Sequence, residues 1–115
     1  MTKTQKFFQI AKQTALCEYN DRRKYKIGAV GLRHDGMVVQ ARNISTQTRI
    51  QTAHAEYRLS QKLDWGSTVY VVRVLANGAL SMAKPCKKCV ARLRRKGVRM
   101  CYYSITDNEY GVLVL

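Results

Sequence analysis

The chain has 115 residues, 46% of them hydrophobic, which is enough to bury one core and too little for two. It carries no apolar run of about 18 residues, and Met1-Thr2-Lys3-Thr4-Gln5-Lys6 is not followed by the apolar region of a secretory signal; this excludes a membrane span and leads us to expect a soluble, intracellular protein. Its 21 Lys and Arg against 7 Asp and Glu give a net charge of +14, which makes so small a surface a long-range attractor for polyanions.

From residue 3 to about 18, Phe7, Phe8, Ile10, Ala11, Ala15 and Leu16 recur at helical spacing and predict a first amphipathic helix. Residues 27–32 and 37–42 read as strands joined through Arg33-His34-Asp35-Gly36, where Asp-Gly marks a tight hairpin turn. The sheet therefore begins antiparallel. His54 opens a second helix that runs to about residue 63, with Ala55, Leu59 and Leu63 on one face. Residues 68–75, rich in Val and Tyr, form a strand followed by an Asn77-Gly78 turn. Pro85 suits the first turn of a third helix, because its missing N–H would have no intrahelical partner there. Cys86, Cys89, Val90 and Leu93 make the inward stripe of that helix, and Gly97 ends it. Residues 98–103 and 112–115 are the final strands. The eight residues between them cannot hold a parallel crossover, which needs about a dozen, so the last strand is expected to return antiparallel or trail along the edge. With one proline, no repeat and no low-complexity tract, residues 1–115 are expected to form a single domain.

His54-Ala55-Glu56 and Pro85-Cys86-Lys87-Lys88-Cys89 stand at the two helix starts, and together they read as a catalytic zinc site. One imidazole (His54) and two thiolates (Cys86, Cys89) leave the fourth position of a tetrahedral ion for a water. Zinc lowers the pKa of such a water to roughly 7, so a hydroxide nucleophile is available at neutral pH. Glu56, two residues beyond the imidazole, is placed to move the proton. Helix N-termini favour thiolates, so Cys86 and Cys89 are expected to be acidified there. The competing reading is a small zinc knuckle with Cys17, Cys101 or His34 as fourth ligand. It leaves Glu56 without a task, and Cys101 falls in an apolar strand where a thiol is ordinary packing.

At these residues the chain resembles the zinc-dependent nucleoside and nucleobase deaminases, whose pattern is H-x-E followed by P-C-x-x-C. Both halves are intact. The resemblance extends from about Ile27 to Tyr103 and implies an α/β fold: three α-β-α layers with a central mixed sheet of about five strands flanked by helices. It implies Zn2+ on His54, Cys86 and Cys89, with Glu56 as proton shuttle acting on an exocyclic amine. It further implies Asn43, eleven residues before His54, and the Ala55 backbone as substrate contacts. A short, antiparallel C-terminal end is similar to that of free-cytidine deaminases and some toxin-type deaminases. Those nucleoside enzymes carry Asn-x-Glu to grip the sugar, however, and Ser45 stands at the position of the acid. The tRNA adenosine deaminases commonly place Glu before Pro-Cys, where this chain has Lys84.

Basic residues gather at Arg22, Arg23, Lys24 and Lys26, and again from Lys84 to Arg99 with Lys87 and Lys88 beside the cysteines. Arg94, Arg95 and Lys96 also complement the end of a helix dipole, which accounts for three charges and leaves the rest of the excess. Arg22, Arg23, Lys24, Lys26, Lys84, Lys87 and Lys88 are therefore expected to guide a nucleic-acid backbone toward the metal. Tyr25, Tyr102, Tyr103 and Tyr110 are available as stacking surfaces, although tyrosines in a strand are more often packing. The expected activity is conversion of cytosine to uracil within single-stranded DNA or RNA. The alternatives are a free cytidine or dCMP deaminase, a tRNA adenosine deaminase, and a non-catalytic zinc-stabilised nucleic-acid-binding module. No membrane partner is expected, and a homo-oligomer is compatible, since related deaminases include monomers, dimers and tetramers.

Overall fold

A computed structural model describes residues 1–16, 26–43 and 54–115. Buried Phe7, Phe8, Ala11, Thr14 and Ala15 form one face of α1 (Lys3–Leu16). Its start is a reciprocal cap. The Gln5 N–H donates to Thr2 Oγ1 at 3.2 Å, and the Thr2 N–H donates to Gln5 Oε1 at 2.9 Å. Then come β1 (Lys26–Leu32), β2 (Val38–Arg42), α2 (Ala55–Ser60), β3 (Thr68–Val74), β4 (Leu80–Ser81), α3 (Lys87–Arg95), β5 (Met100–Ser104) and β6 (Tyr110–Val114).

The strands lie in the order β2-β1-β3-β5-β6, with the short β4 paired to the end of β3. Among the described residues only β3 and β5 run parallel, and α3 lies in the connection between them. The final strand returns antiparallel on β5, with Met100 opposite Val114, as the short connection requires. The architecture is the expected mixed α/β sheet between helical layers. On one face α1 covers Val30, Tyr70, Val72 and Val74. On the other, Ala55, Leu59 and Leu93 from α2 and α3 pack on Ala29, Val69, Val71 and Cys101. Among the described residues no helix is long and apolar enough to cross a membrane.

Three details depart from the sequence reading. Helix α2 stops at Ser60, because N–H groups of residues 61–63 bond three residues back, to Arg58, Leu59 and Ser60, and tighten the last turn. Leu63 is still buried. The Asn77-Gly78 turn, with Gly78 at φ 86°, folds β4 back onto β3, a strand that two residues of apolar pattern do not announce. Cys86 is the exposed N-cap of α3, so only Cys89 and Leu93 of the predicted stripe are buried and Val90 is half-buried. Gly97 ends α3 as expected, at φ 83°, with the Val98 N–H on the Leu93 carbonyl and its own N–H on that of Arg94.

Close approach of α1 to the sheet depends on Gly28, where a Cβ would overlap the Ala11 carbonyl oxygen. Backbone cannot yield as a side-chain tip can. Gly28→Ala is therefore expected to destabilise the protein by about 1–3 kcal/mol, read as a lower Tm with the metal-centre residues untouched.

Candidate metal centre

The parallel strands β3 and β5 finish at the same end of the sheet, and both halves of the motif are delivered there. Strand β4 is held to that end by the Arg73–Ser81 pairing, and the Ala83 N–H bonds to the Ser104 carbonyl at 2.9 Å. The chain then passes through buried Pro85 into the start of α3. His54 and Cys86 are the N-caps of α2 and α3, each with extended backbone (ψ 144° and 163°) and neither spending its side chain on capping. Their side chains are thus left to meet.

The ligand atoms of His54, Cys86 and Cys89 all lie within 4.8 Å of one another, and His54 Nδ1 stands 3.4 Å from Cys89 Sγ. Tetrahedral zinc, with bonds of about 2.0–2.1 Å to nitrogen and about 2.3 Å to sulfur, requires N···S near 3.6 Å and S···S near 3.8 Å. The donor set and its spacing fit such an ion. Among the described residues no further His, Cys, Asp or Glu completes this group. Cys101 is fully buried within β5 and His34 lies in the β1–β2 turn against Gly66, so neither joins the group; Cys17 lies outside the described residues. The arrangement is a three-ligand site.

The expected acidification of both thiols by their helix end does not hold for Cys89. Burial pushes this thiol far above its usual range, and the nearby Glu56 and Cys86 push the same way, outweighing the N–H of Tyr57 that bonds its sulfur. A cation held by His54, Cys86 and Cys89 would supply the deprotonation of this thiol.

Glu56 is 6% exposed, and its Oε1 has no hydrogen-bond partner among the described residues. Burial raises its pKa, opposed by its own backbone N–H and by the charge of His54. A buried carboxyl with an unfilled acceptor beside three metal donors is costly for folding alone, and such groups concentrate where chemistry needs them.

Sequence reasoning missed the residues that hold α2 and α3 in place. Arg58 Nη1 donates to the Arg42 carbonyl at 2.7 Å and ties α2 to the end of β2. Arg92 Nε donates to Ser60 Oγ at 3.1 Å while its guanidinium lies 4.9 Å above the Tyr57 ring, joining α3 to α2.

Asn43 is buried, and its Oδ1 accepts the Ile27 N–H at 2.9 Å while its own N–H reaches the Ile27 carbonyl at 3.2 Å. It extends the hairpin by one residue at the metal-centre end. Ala55 is fully buried as the first residue of α2. Lys84, Lys87 and Lys88 are exposed around the cysteines, and half-buried Lys26 begins β1 at the same end of the sheet. Arg22, Arg23, Lys24, Tyr25 and Ser45 lie outside the described residues. The basic run from Lys84 to Arg99 does not form one patch around the metal. Helix α3 carries Arg94, Arg95 and Lys96 to the far end of the sheet. Tyr102 is committed to packing, stacked on Tyr70 at 5.0 Å, and Tyr110 meets Phe8 edge-on at 5.8 Å.

The family described as the cytidine and deoxycytidylate deaminase zinc-binding region matches residues 1–105. No curated protein sequence matches the chain. Among solved structures, a cytidine deaminase from Burkholderia pseudomallei is similar, with a TM-score of 0.69 and 18% identity over 99% of this chain and 93% of that one. A cytidine deaminase from Mycobacterium tuberculosis is also similar, with a TM-score of 0.56 and 21% identity over 90% of this chain and 85% of the other. At these identities the likeness is one of fold.

Proposed function

The chain belongs to the cytidine and deoxycytidylate deaminase family, and from this premise we propose that it hydrolyses cytosine to uracil within single-stranded nucleic acid. The observation that carries the reading is the buried Glu56 carboxyl, whose Oε1 has no hydrogen-bond partner among the described residues, beside the His54, Cys86 and Cys89 donors. Zinc, when held by these three, supplies a water acidic enough to attack at neutral pH. Glu56 takes the proton of the attacking water and returns it to the base, so that the C4–N bond breaks and the amine leaves as ammonia. Its raised pKa suits a group that must both accept and release a proton. Asn43, fixed by its bonds to Ile27, and the backbone N–H of Ala55 hold the nucleotide.

The polynucleotide part rests on charge. Lys84, Lys87 and Lys88 are exposed at the mouth, with Lys26 at the same end of the sheet, and the sequence adds Arg22, Arg23 and Lys24 just before it. A phosphate backbone is the natural partner of such a rim. A second reading, turnover of free cytidine or dCMP, is favoured by the antiparallel β6 and by the fold shared with cytidine deaminases.

The two readings separate on salt. A cytosine-containing single-stranded oligonucleotide should be processed with higher kcat/KM than free cytidine, with binding that falls steeply as salt rises. Removing Lys84, Lys87 and Lys88 together should flatten the log–log salt slope by about 2. Free cytidine or dCMP outrunning every oligonucleotide would establish the second reading instead.

A further inference from the structure

We propose that the end of the molecule opposite the metal centre is a separate docking surface for single-stranded nucleic acid, built on Trp65 and the basic end of α3. Trp65 is 78% exposed, an unusual position for the largest apolar side chain. One part of its ring lies on Gly97, where a Cβ would overlap the indole carbons. The Gly66 N–H bonds to the Gly97 carbonyl at 2.8 Å, so the loop that carries the indole is tied to the end of α3. The ring is thus seated on backbone and still open to solvent, which is what a stacking platform for a base requires.

Positive charge flanks Gly97, the residue under the ring. Arg94, Arg95 and Arg99 are exposed and Lys96 is half-exposed, and no acidic side chain pairs with any of them among the described residues. The acids at this end are already engaged. Asp35 pairs with Arg33 at 2.9 Å. Asp64 accepts the Ser67 hydroxyl at 2.7 Å and the His34 N–H at 2.9 Å, and these bonds hold its carboxyl below its usual range. The dipole of α3 explains basic residues in its last turn, but neither Arg99 nor an indole left in water. An exposed aromatic face seated at Gly97, in the same stretch of chain as exposed Arg94, Arg95 and Arg99, matches a chain of phosphates with unstacked bases better than an acidic protein surface, which would leave the indole without a partner.

Cys86 and Lys96 stand at opposite ends of α3, about 15 Å apart along its axis, so the surface does not belong to the metal centre. It stands whether or not that centre acts on polynucleotides. Trp65 is the one tryptophan of the chain, so its fluorescence reports this surface alone. The probe is oligothymidylate, which contains no cytosine. Titrated into the full-length protein, it should quench Trp65 saturably, with the same midpoint as the anisotropy of the labelled oligonucleotide. Trp65→Ala should weaken binding roughly 5- to 150-fold, with Trp65→Phe recovering most of the loss. Circular dichroism and Tm identify folded variants, and the Phe variant answers the question should the Ala variant fail to fold. Replacing Arg94, Arg95 and Arg99 by Ser should reduce the salt slope by about 2. Binding with Trp65 fluorescence unchanged, or equal affinity for wild type and both Trp65 variants, would overturn the proposal. Equal quenching by polyglutamate would overturn it too, in favour of an acidic protein partner.

Discussion

Glu56→Gln is expected to lower kcat roughly 10²- to 10⁴-fold while the protein still binds one zinc ion. Glutamine keeps the shape of the side chain and loses its ability to carry a proton. The substitution does not touch the donor atoms of His54, Cys86 and Cys89, which lie within 4.8 Å of one another without any contribution from Glu56. Stability should move the other way. In the metal-free protein the folded-state pKa of Glu56 is raised by burial above the ordinary value of 4.5. The folded protein therefore binds this proton more tightly than the unfolded chain does. Its contribution is complete below the unfolded value and is lost as pH rises from there through the raised one. Above that window Glu56→Gln should increase the Tm of the metal-free protein, because a neutral amide takes the place of a buried acid. A variant that is inactive, metal-loaded and at least as stable is the pattern of a group kept for chemistry. Equal loss of zinc and activity would instead make Glu56 a part of the metal's support.

Withdrawal of zinc, or Cys89→Ala, should remove both activity and a large part of the stability. Cys89 is fully buried, its thiol pKa is pushed up by that burial, and His54 and Cys86 place their ligand atoms within 4.8 Å of its sulfur, so a cation bound by all three ties α2 to α3. Binding energy at such a site is folding energy. At free zinc one hundred times Kd the stabilisation is about 2.7 kcal/mol, which corresponds to a Tm change on the order of 10 °C for a domain of this length. Chelation should produce that fall in the wild type. Cys89→Ala should start from the lower Tm and show no further response to chelator. A Tm indifferent to chelator in the wild type would mean that the three side chains do not hold a metal together.

The metal-centre residues were legible because their chemistry is local. His54 with Glu56, and Cys86 with Cys89, are each spaced within a single helix turn, although Pro85, expected in the first turn of the third helix, instead precedes its N-cap Cys86. The antiparallel last strand followed from a count of connecting residues. What holds the halves together was not legible. Arg58 on Arg42, and Arg92 between Ser60 and Tyr57, are contacts between segments far apart in sequence, with no periodicity to betray them. The charge pattern was read too simply for the same reason. Lys84 and Arg99 belong to one basic run, yet a helix separates its halves and puts them at opposite ends of the sheet. Helix-end electrostatics also misled for Cys89, because burial is a property of the packed core and outweighs the half-charge of a helix terminus. Tyr102 shows the reverse case, a ring whose place in a strand correctly favoured packing over display.

The most direct test is to incubate zinc-loaded protein with a single-stranded oligonucleotide containing cytosine, alongside free cytidine, dCMP and an adenosine-containing anticodon loop, and to read the products by mass. The account predicts uracil in the oligonucleotide, formed by the wild type and absent with Glu56→Gln. Zinc-replete protein that converts none of these substrates would contradict it, and would leave a metal-stabilised binding protein in place of an enzyme.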